Sequence, residues 1–307
     1  MENDTDEELT KLFEQYINNY RESGWCIEQQ YLQIIRVLGN GASGTTYEGK
    51  YREAKVAVKA YSAKILKEDF VSVRNEMELL ARLSHPNIIK FYGICFMKNP
   101  FAACLVTELA PHGELGKALY PKSGINLFSR LGQDIKFKIA IGVARGLQYL
   151  HKNKVIHRDV KPANVLLDEQ NEPKLTDFGF SRLVDYSGRM TGETGSYKYM
   201  APEVMRHQKY SESADIYSFA VVINEMFCEE PPYRYLLPVQ AAIAVAKKGA
   251  RPSTKKIKND ILKGMIERCW SEDPAERPDW ETVIDSLQQA EVYQKKPTSV
   301  FEMFRKK

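Results

Sequence analysis

Hydrophobic positions alternate with polar ones through the first third of this chain, then change to helical spacing. From Tyr31 to about Leu109 the segments "YLQIIRVL", "TTYEGKY", "KVAVKAY", "IIKFYGICF" and "FAACLVTEL" are rich in Val, Ile and Tyr and read as strands. One helix, around Val71 to Leu83, interrupts them. After "APHGEL", residues Ile135, Ile139, Val143, Leu147 and Leu150 mark a long buried stripe. Later helices are predicted over about Ser213 to Phe227, Val239 to Lys247, Asp260 to Trp270 and Trp280 to Val292. A strand-rich part followed by a helix-rich part predicts an α+β chain or two packed lobes. Upstream, Leu9, Leu12, Phe13, Tyr16, Ile17 and Tyr20 fall at helical spacing with Gly24 as the stop, an amphipathic helix expected to pack on the adjacent domain.

Composition narrows this picture. The chain has 307 residues, 43% of them hydrophobic, enough for a sizeable core and against disorder of the whole. Net charge is +4 from 44 basic and 40 acidic residues, too balanced to imply a nucleic-acid partner. Residues 1–8 are acidic and Lys295 to Lys307 basic, and both ends read as solvated tails. The basic stretch "KKGARPSTKKIKND", Lys247 to Asp260, reads as a solvated loop between helices. Five widely spaced cysteines without a C-x-x-C pair point to free thiols in a reducing compartment. With no signal-peptide pattern and no apolar run of membrane-spanning length, a soluble cytoplasmic protein is expected.

The chemistry starts at "LGNGASGTTYEG", where Gly39, Gly41 and Gly44 make a G-x-G-x-x-G pattern suited to close approach of a phosphate. A nucleotide-triphosphatase P-loop would need Gly-Lys-Ser/Thr, but Gly44 is followed by Thr45 and Thr46. A dinucleotide fold would run from the glycines into a helix, whereas "TTYEGKY" alternates like a strand. What remains is a glycine turn between two strands, followed by "VAVK": a lid over ATP with Lys59 on its phosphates.

Here the chain resembles the protein kinase family over about residues 28–290, with residues 1–27 as an amino-terminal extension and 291–307 as a basic tail. The family's motifs stand in family order: the glycine pattern, Lys59, Glu76 in "NEMELLARLSHPNII", "HRDVKPAN", "DFG", "APE" ending at Glu203, Asp215 in "SADIYSF" and Arg277 in "DPAERPDW". The resemblance implies a bilobal fold, with an antiparallel sheet and one main helix in a small lobe (about 28–109) and a larger, mainly helical lobe (about 110–290). It implies ATP and Mg2+ as cofactors and protein Ser/Thr hydroxyls as acceptors.

Carried over residue by residue, Asp159 is the candidate base, Lys161 meets the γ-phosphate, Lys59 is paired with Glu76, and Asn164 and Asp177 are metal ligands. Nucleotide contacts fall on Leu38, Gly39, Asn40, Gly41, Ala42, Ser43, Gly44, Thr46, Ala57, Thr107, Glu108, Leu109 and Leu166. His157 is expected to be a core histidine. Three groups that handle metal or protons at these spacings have no packing purpose, which favours function for Asp159, Asn164 and Asp177.

The amino-terminal lobe and "ERCWSEDPAERPDW" are similar to tyrosine-kinase-like kinases of the Raf and mixed-lineage type, while the lysine in "HRDVKPAN" is typical of serine/threonine specificity. Two positions depart from the family. Thr46 replaces the usual valine, slightly weakening an apolar contact to adenine, and Ser196 replaces the threonine before "APE". Arg158 beside the catalytic aspartate implies regulation by phosphorylation of Ser187, Thr191 or Thr194, by an upstream kinase or by autophosphorylation in trans. Ser196 is expected at the substrate site. The rival reading, a catalytically inactive kinase-fold scaffold, would typically have lost Lys59, Asp159 or Asp177; all three are present.

Overall fold

The computed structural model describes residues 18, 20–41, 44–98, 101–120, 132–178, 182–183 and 196–295. It divides into two compact units, Met1–Pro111 with Thr176–Phe180, and His112–Leu175 with Ser181–Lys307. Residues 1–17 and 19 of the predicted amino-terminal helix, Ala42, Ser43, the three hydroxyls at 187, 191 and 194, and the basic tail from 296 lie outside the described residues.

The first unit is built on five antiparallel strands: β1 (Leu32–Gly41), β2 (Gly44–Tyr51), β3 (Ala54–Ser62), β4 (Phe91–Lys98) and β5 (Phe101–Glu108), in the order β1-β2-β3-β5-β4. Alternation sends Val56 and Val58 of β3 to one face, where they pack with Cys104 and Val106 of β5, Cys95 of β4 and Ile27. The opposite face of β3 carries Ala57 and Lys59.

Helix α1 spans Ala63–Arg82, starting eight residues before the predicted Val71. Two caps explain the difference. Ser62 accepts the Ile65 amide, and at Asp69 the helix breaks (φ −149°, ψ 54°), where the Asp69 carboxylate caps the Ser72 amide. The predicted helix corresponds to the part after that break. Residues just before the sheet are stitched to it: Ile27 donates to Ile94 O and Ile94 to Trp25 O, each at 2.8 Å, while buried Tyr20 stacks on Phe96. Gly24 closes the preceding turn at φ +76°.

The second unit is mainly helical. A short strand and a short helix lead it, β6 (Gly113–Glu114) and α2 (Leu115–Leu119), with the long α3 (Gln133–Lys152) further on. The predicted stripe of α3 is buried at Ile139, Val143, Leu147 and Leu150, and Phe137 and Ala144 widen it. Small strands β7 (Val155–Ile156), β8 (Val165–Leu167), β9 (Pro173–Leu175) and β10 (Arg182–Leu183) form the pairs β10-β7 and β6-β8-β9. These two- and three-residue strands are too short to leave a periodic signal. Then come α4 (Pro202–Met205), α5 (Ser213–Cys228), α6 (Pro238–Lys248), α7 (Asp260–Cys269) and α8 (Trp280–Lys295). Helix α5 is buried all round from Ala214 to Met226 and forms the centre of the unit.

The basic stretch at 247–260 is only partly a solvated loop. Its lysines point outward, but Pro252, Ile257 and Asn259 are buried, Asn259 capping α7 through the Leu262 amide. No helix among the described residues is long and apolar enough to cross a membrane.

Candidate active site

In the first unit the glycine pattern forms the β1–β2 hairpin, with Gly41 paired to Gly44. The three glycines are there for different reasons. Gly44 is demanded by the fold: its φ is +137°, and a Cβ there would lie 2.5 Å from the Ala60 carbonyl oxygen. A Cβ on Gly39 would meet nothing within 4 Å, and one on Gly41 only an ordinary contact at 3.7 Å. Packing within the chain does not require glycine at either position, which fits backbone kept bare for a ligand's close approach.

Strand register then gathers the remaining first-unit residues. Thr46 of β2 lies opposite Lys59 of β3, Ala57 lies opposite Thr107 of β5, and Val56 opposite Glu108. Leu38 sits at the β1 register shift between Val37 and Gly39 and is more than a third exposed. Asn40 faces Thr45, Leu109 directly follows β5, and the Glu108 carboxylate accepts the Lys90 amide at 2.8 Å.

The Lys59 ammonium is the centre of an ion cluster. It donates to both Glu76 oxygens at 3.1 and 3.2 Å and to Asp177 Oδ1 at 3.4 Å. Glu76 is buried and takes a further hydrogen bond, 2.6 Å, from the Tyr61 hydroxyl. Burial is the largest single influence and would lower the Lys59 pKa, but Glu76, Tyr61 and Asp177 together outweigh it, and the ammonium stays charged well above the ordinary lysine range. Asp177 is held at φ +63°, the left-handed region that non-glycine residues rarely adopt outside functional sites. Tyr61 is absent from the sequence-derived set. Its place two residues after Lys59, on the same face of β3, is the signal that could have found it.

In the second unit the turn after β7 carries "HRDVKPAN". Asp159 is buried, and its Oδ2 lies 2.7 Å from Lys161 Nζ and accepts from Asn164 Nδ2 at 2.9 Å. Asn164 Nδ2 also donates to the Asp159 backbone carbonyl at 2.8 Å, which leaves the amide oxygen as the atom of Asn164 suited to a hard cation. Lys161 reaches on to Ser196 Oγ at 3.1 Å. Lys161 thus ties the aspartate to a buried hydroxyl that lies 35 residues from the lysine in sequence. His157 is fully buried, and its Nδ1 accepts the Asp159 amide at 3.3 Å, the structural role expected of it. Leu166 lies on β8 opposite Glu114.

This loop is anchored from beneath by Asp215 at the start of α5. Its Oδ2 accepts the His157 amide at 2.8 Å and its Oδ1 the Arg158 amide at 2.9 Å. Burial alone would raise the Asp215 carboxyl, but the hydrogen bonds from the His151 ring and the His157 amide hold it below the usual range. Arg158 sits at φ +70°, its Cα just after the two consecutive amides that bond Asp215 and just before the Asp159 amide that bonds His157 Nδ1. Its guanidinium lies 5.2 Å from the Tyr210 ring centroid. Glu203 and Arg277 form a buried bidentate pair at 2.6 and 2.8 Å.

A sequence profile of the family described as "Protein tyrosine and serine/threonine kinase" matches residues 32–287. The chain belongs to that protein kinase family. Its bilobal fold is the one described above, and kinases of this family use ATP with Mg2+ and act on proteins. Among curated kinases, the chain is 37% identical over 271 residues to the serine/threonine-protein kinase STY17 of Arabidopsis thaliana and 36% identical over 266 residues to STY46 of the same plant. Each alignment covers 86% of this kinase but 45% of the relative, so the chain spans under half the length of these two. The serine/threonine/tyrosine-protein kinase HT1 of Arabidopsis thaliana is 35% identical over 269 residues, which cover 86% of this chain and 67% of the relative. These relatives support the tyrosine-kinase-like lineage expected from the motifs.

Proposed function

We propose that the chain is an active serine/threonine protein kinase that transfers the γ-phosphate of ATP to protein hydroxyls. The observation that carries this reading is the arrangement of Asp159, Lys161, Asn164 and Ser196, a carboxylate and an ammonium 2.7 Å apart beside a buried hydroxyl. Phosphoryl transfer needs positioning and neutralisation of charge more than covalent help. In this reading Lys59, oriented by Glu76 and Tyr61, binds the α- and β-phosphates, and Gly39 and Gly41 offer backbone amides. Leu38, Ala57, Thr107, Glu108, Leu109 and Leu166 serve the nucleotide base. Asp159 orients the acceptor hydroxyl and takes its proton, Lys161 meets the γ-phosphate, and Ser196 fixes the lysine between them. Asp177 Oδ1 and Asn164 Oδ1 would hold magnesium, which neutralises phosphate charge when bound.

Retention of Lys59, Asp159 and Asp177 in bonded geometry supports the enzyme over the inactive scaffold. Phosphorylation at Ser187, Thr191 or Thr194, by an upstream kinase or in trans, is the proposed regulation, and the cytoplasm the proposed compartment.

Radiolabel transfer from γ-labelled ATP to peptides with one fixed Ser, Thr or Tyr tests the reading. Ser and Thr peptides should label, and Asp159→Asn should cut turnover by about 10²–10⁴-fold with ATP binding and folding retained. Near-normal turnover in that variant would overturn the assignment. Dominant phosphotyrosine, an outcome that the name of HT1 makes concrete, would overturn the acceptor preference while leaving the kinase.

A further inference from the structure

The anchor under the catalytic loop does not end at Asp215. Trp280, the first residue of α8, donates its indole Nε1–H to His151 Nδ1 at 2.7 Å, and His151 Nε2 lies 2.9 Å from Asp215 Oδ2. An indole N–H can only donate. His151 Nδ1 must therefore accept with its lone pair, and its single proton stands on Nε2, aimed at the carboxylate. Trp280 thus fixes the tautomer that supplies Asp215 with a third donor besides the His157 and Arg158 amides. All three members are nearly out of solvent, the Trp280 residue 5% exposed and the His151 and Asp215 side chains 9% and 1%. Water is not at hand to replace a lost partner.

We infer that Trp280 is a positioning residue for phosphoryl transfer, acting through the His151 tautomer and Asp215 on the backbone that carries Arg158 and Asp159. The link joins α8 to His151 at the end of α3, 129 residues away in sequence, and through it to the catalytic loop. Its kinetic consequence rests on the proposed phosphotransfer, whereas the tautomer does not. Trp280 also packs edge-on against Phe219 at 5.3 Å, a contact that phenylalanine can keep. Trp280→Phe therefore removes the donor and leaves an aromatic filler.

Two measurements test this. In nitrogen-15 spectra of histidine side chains, wild-type His151 should show the Nε2–H form, and Trp280→Phe should shift it towards a mixture of tautomers. An Nδ1–H form in the wild type would sink the inference whatever the chain's activity. In steady-state kinetics Trp280→Phe should lower kcat on the order of 3- to 10-fold, the scale of one buried hydrogen bond, with KM for ATP unchanged. His151→Leu should fall at least as far, and His151→Gln, whose amide can donate to Asp215 and accept from Trp280, should recover most of the loss. Unchanged kcat in Trp280→Phe, or equal losses in the Leu and Gln variants, would show that these residues only fill space.

Discussion

In the sheet unit, Lys59 is held by side chains from three separate segments, Glu76 of α1, Tyr61 of β3 and Asp177, at distances from 2.6 to 3.4 Å within the cluster. In the helical unit, the loop that carries Asp159 is held largely by its own backbone: the His157 and Arg158 amides close on a single buried carboxylate. The two arrangements respond differently to disturbance. A side-chain ion cluster loses its geometry when any contributing segment shifts, so it can be switched by moving α1 or the residues around Asp177. Backbone amides on a buried anion cannot be rearranged without opening the fold, so Asp159 is held permanently. The Lys59 cluster is thus the more readily rearranged of the two and the Asp215 anchor the more fixed.

The largest expected effect tests that fixity. Arg277 is fully buried on its side chain, bonds both Glu203 oxygens and the Ser213 carbonyl, and lies 5.2 Å from the Tyr217 ring centroid. Arg277→Ala strands a buried carboxylate and should cost about 3–5 kcal/mol, measured as a drop in ΔG by denaturant titration. A loss under about 1 kcal/mol, within the range of an exposed pair, would mean that the helical unit is not built on fixed buried charges, and the contrast with Lys59 would fail.

A smaller effect marks an exception inside the same unit. Glu225 of α5 is buried, and it is bonded by hydroxyls rather than amides: Tyr199 donates to it at 2.8 Å and Tyr120 bonds it as well, with the Lys198 charge nearby. Burial pushes its carboxyl up to about 7, the tyrosine hydrogen bonds only partly opposing. Because the folded-state value lies above the unfolded one, the folded chain binds more protons between about pH 4.5 and 7. The stabilisation is complete below about 4.5 and is lost as pH rises through 7, at most about 3 kcal/mol in all. Glu225→Gln should flatten this slope, matching or exceeding wild type in thermal stability at pH 8 and falling behind at pH 5. Parallel pH curves for the two proteins would show Glu225 ionised throughout.

The sequence made the strands and the ligand-bearing loops legible because their signals are local. Alternation in "KVAVKAY" assigns Lys59 to the face opposite Val56 and Val58, and "HRDVKPAN" brings Asp159, Lys161 and Asn164 together within six residues. The part of α1 before Asp69 was less visible, since it is short and its start is marked by a single side-chain cap, Ser62. Distant partners were legible only where a motif implied them, as for Lys59 with Glu76 and Ser196 with Lys161. Nothing in the spacing of "YLHK" or "RPDW" says that His151 and Trp280 meet. Tyr61 was hidden differently: a tyrosine in a strand reads first as a β-former, and its hydroxyl acquires meaning only with Glu76 in place.

Tyr61 gives the smallest effect and the finest test of the contrast. Its hydroxyl donates to Glu76 Oε2 at 2.6 Å, and the Lys59 ammonium lies 5.2 Å from its ring centroid. Tyr61→Phe removes the hydroxyl and keeps the ring, so packing and the cation–π contact survive while buried Glu76 loses a donor. A hydrogen bond to a charged group contributes about 1.5–3 kcal/mol, and because Lys59 still pairs with Glu76 the expected loss of stability is at the lower end. Burial and the neighbouring Glu76 charge push the Tyr61 hydroxyl well above its ordinary value, so it remains a donor throughout the working range and the loss should be the same at pH 6.5 and pH 8.5. If the Lys59 cluster is the adjustable region, KM for ATP should rise several-fold, on the order of what 1 kcal/mol gives, while kcat at saturating ATP changes little. The opposite pattern, unchanged KM with a fall in kcat, would place Tyr61 with the fixed machinery of Asp159 and remove the distinction between the two regions.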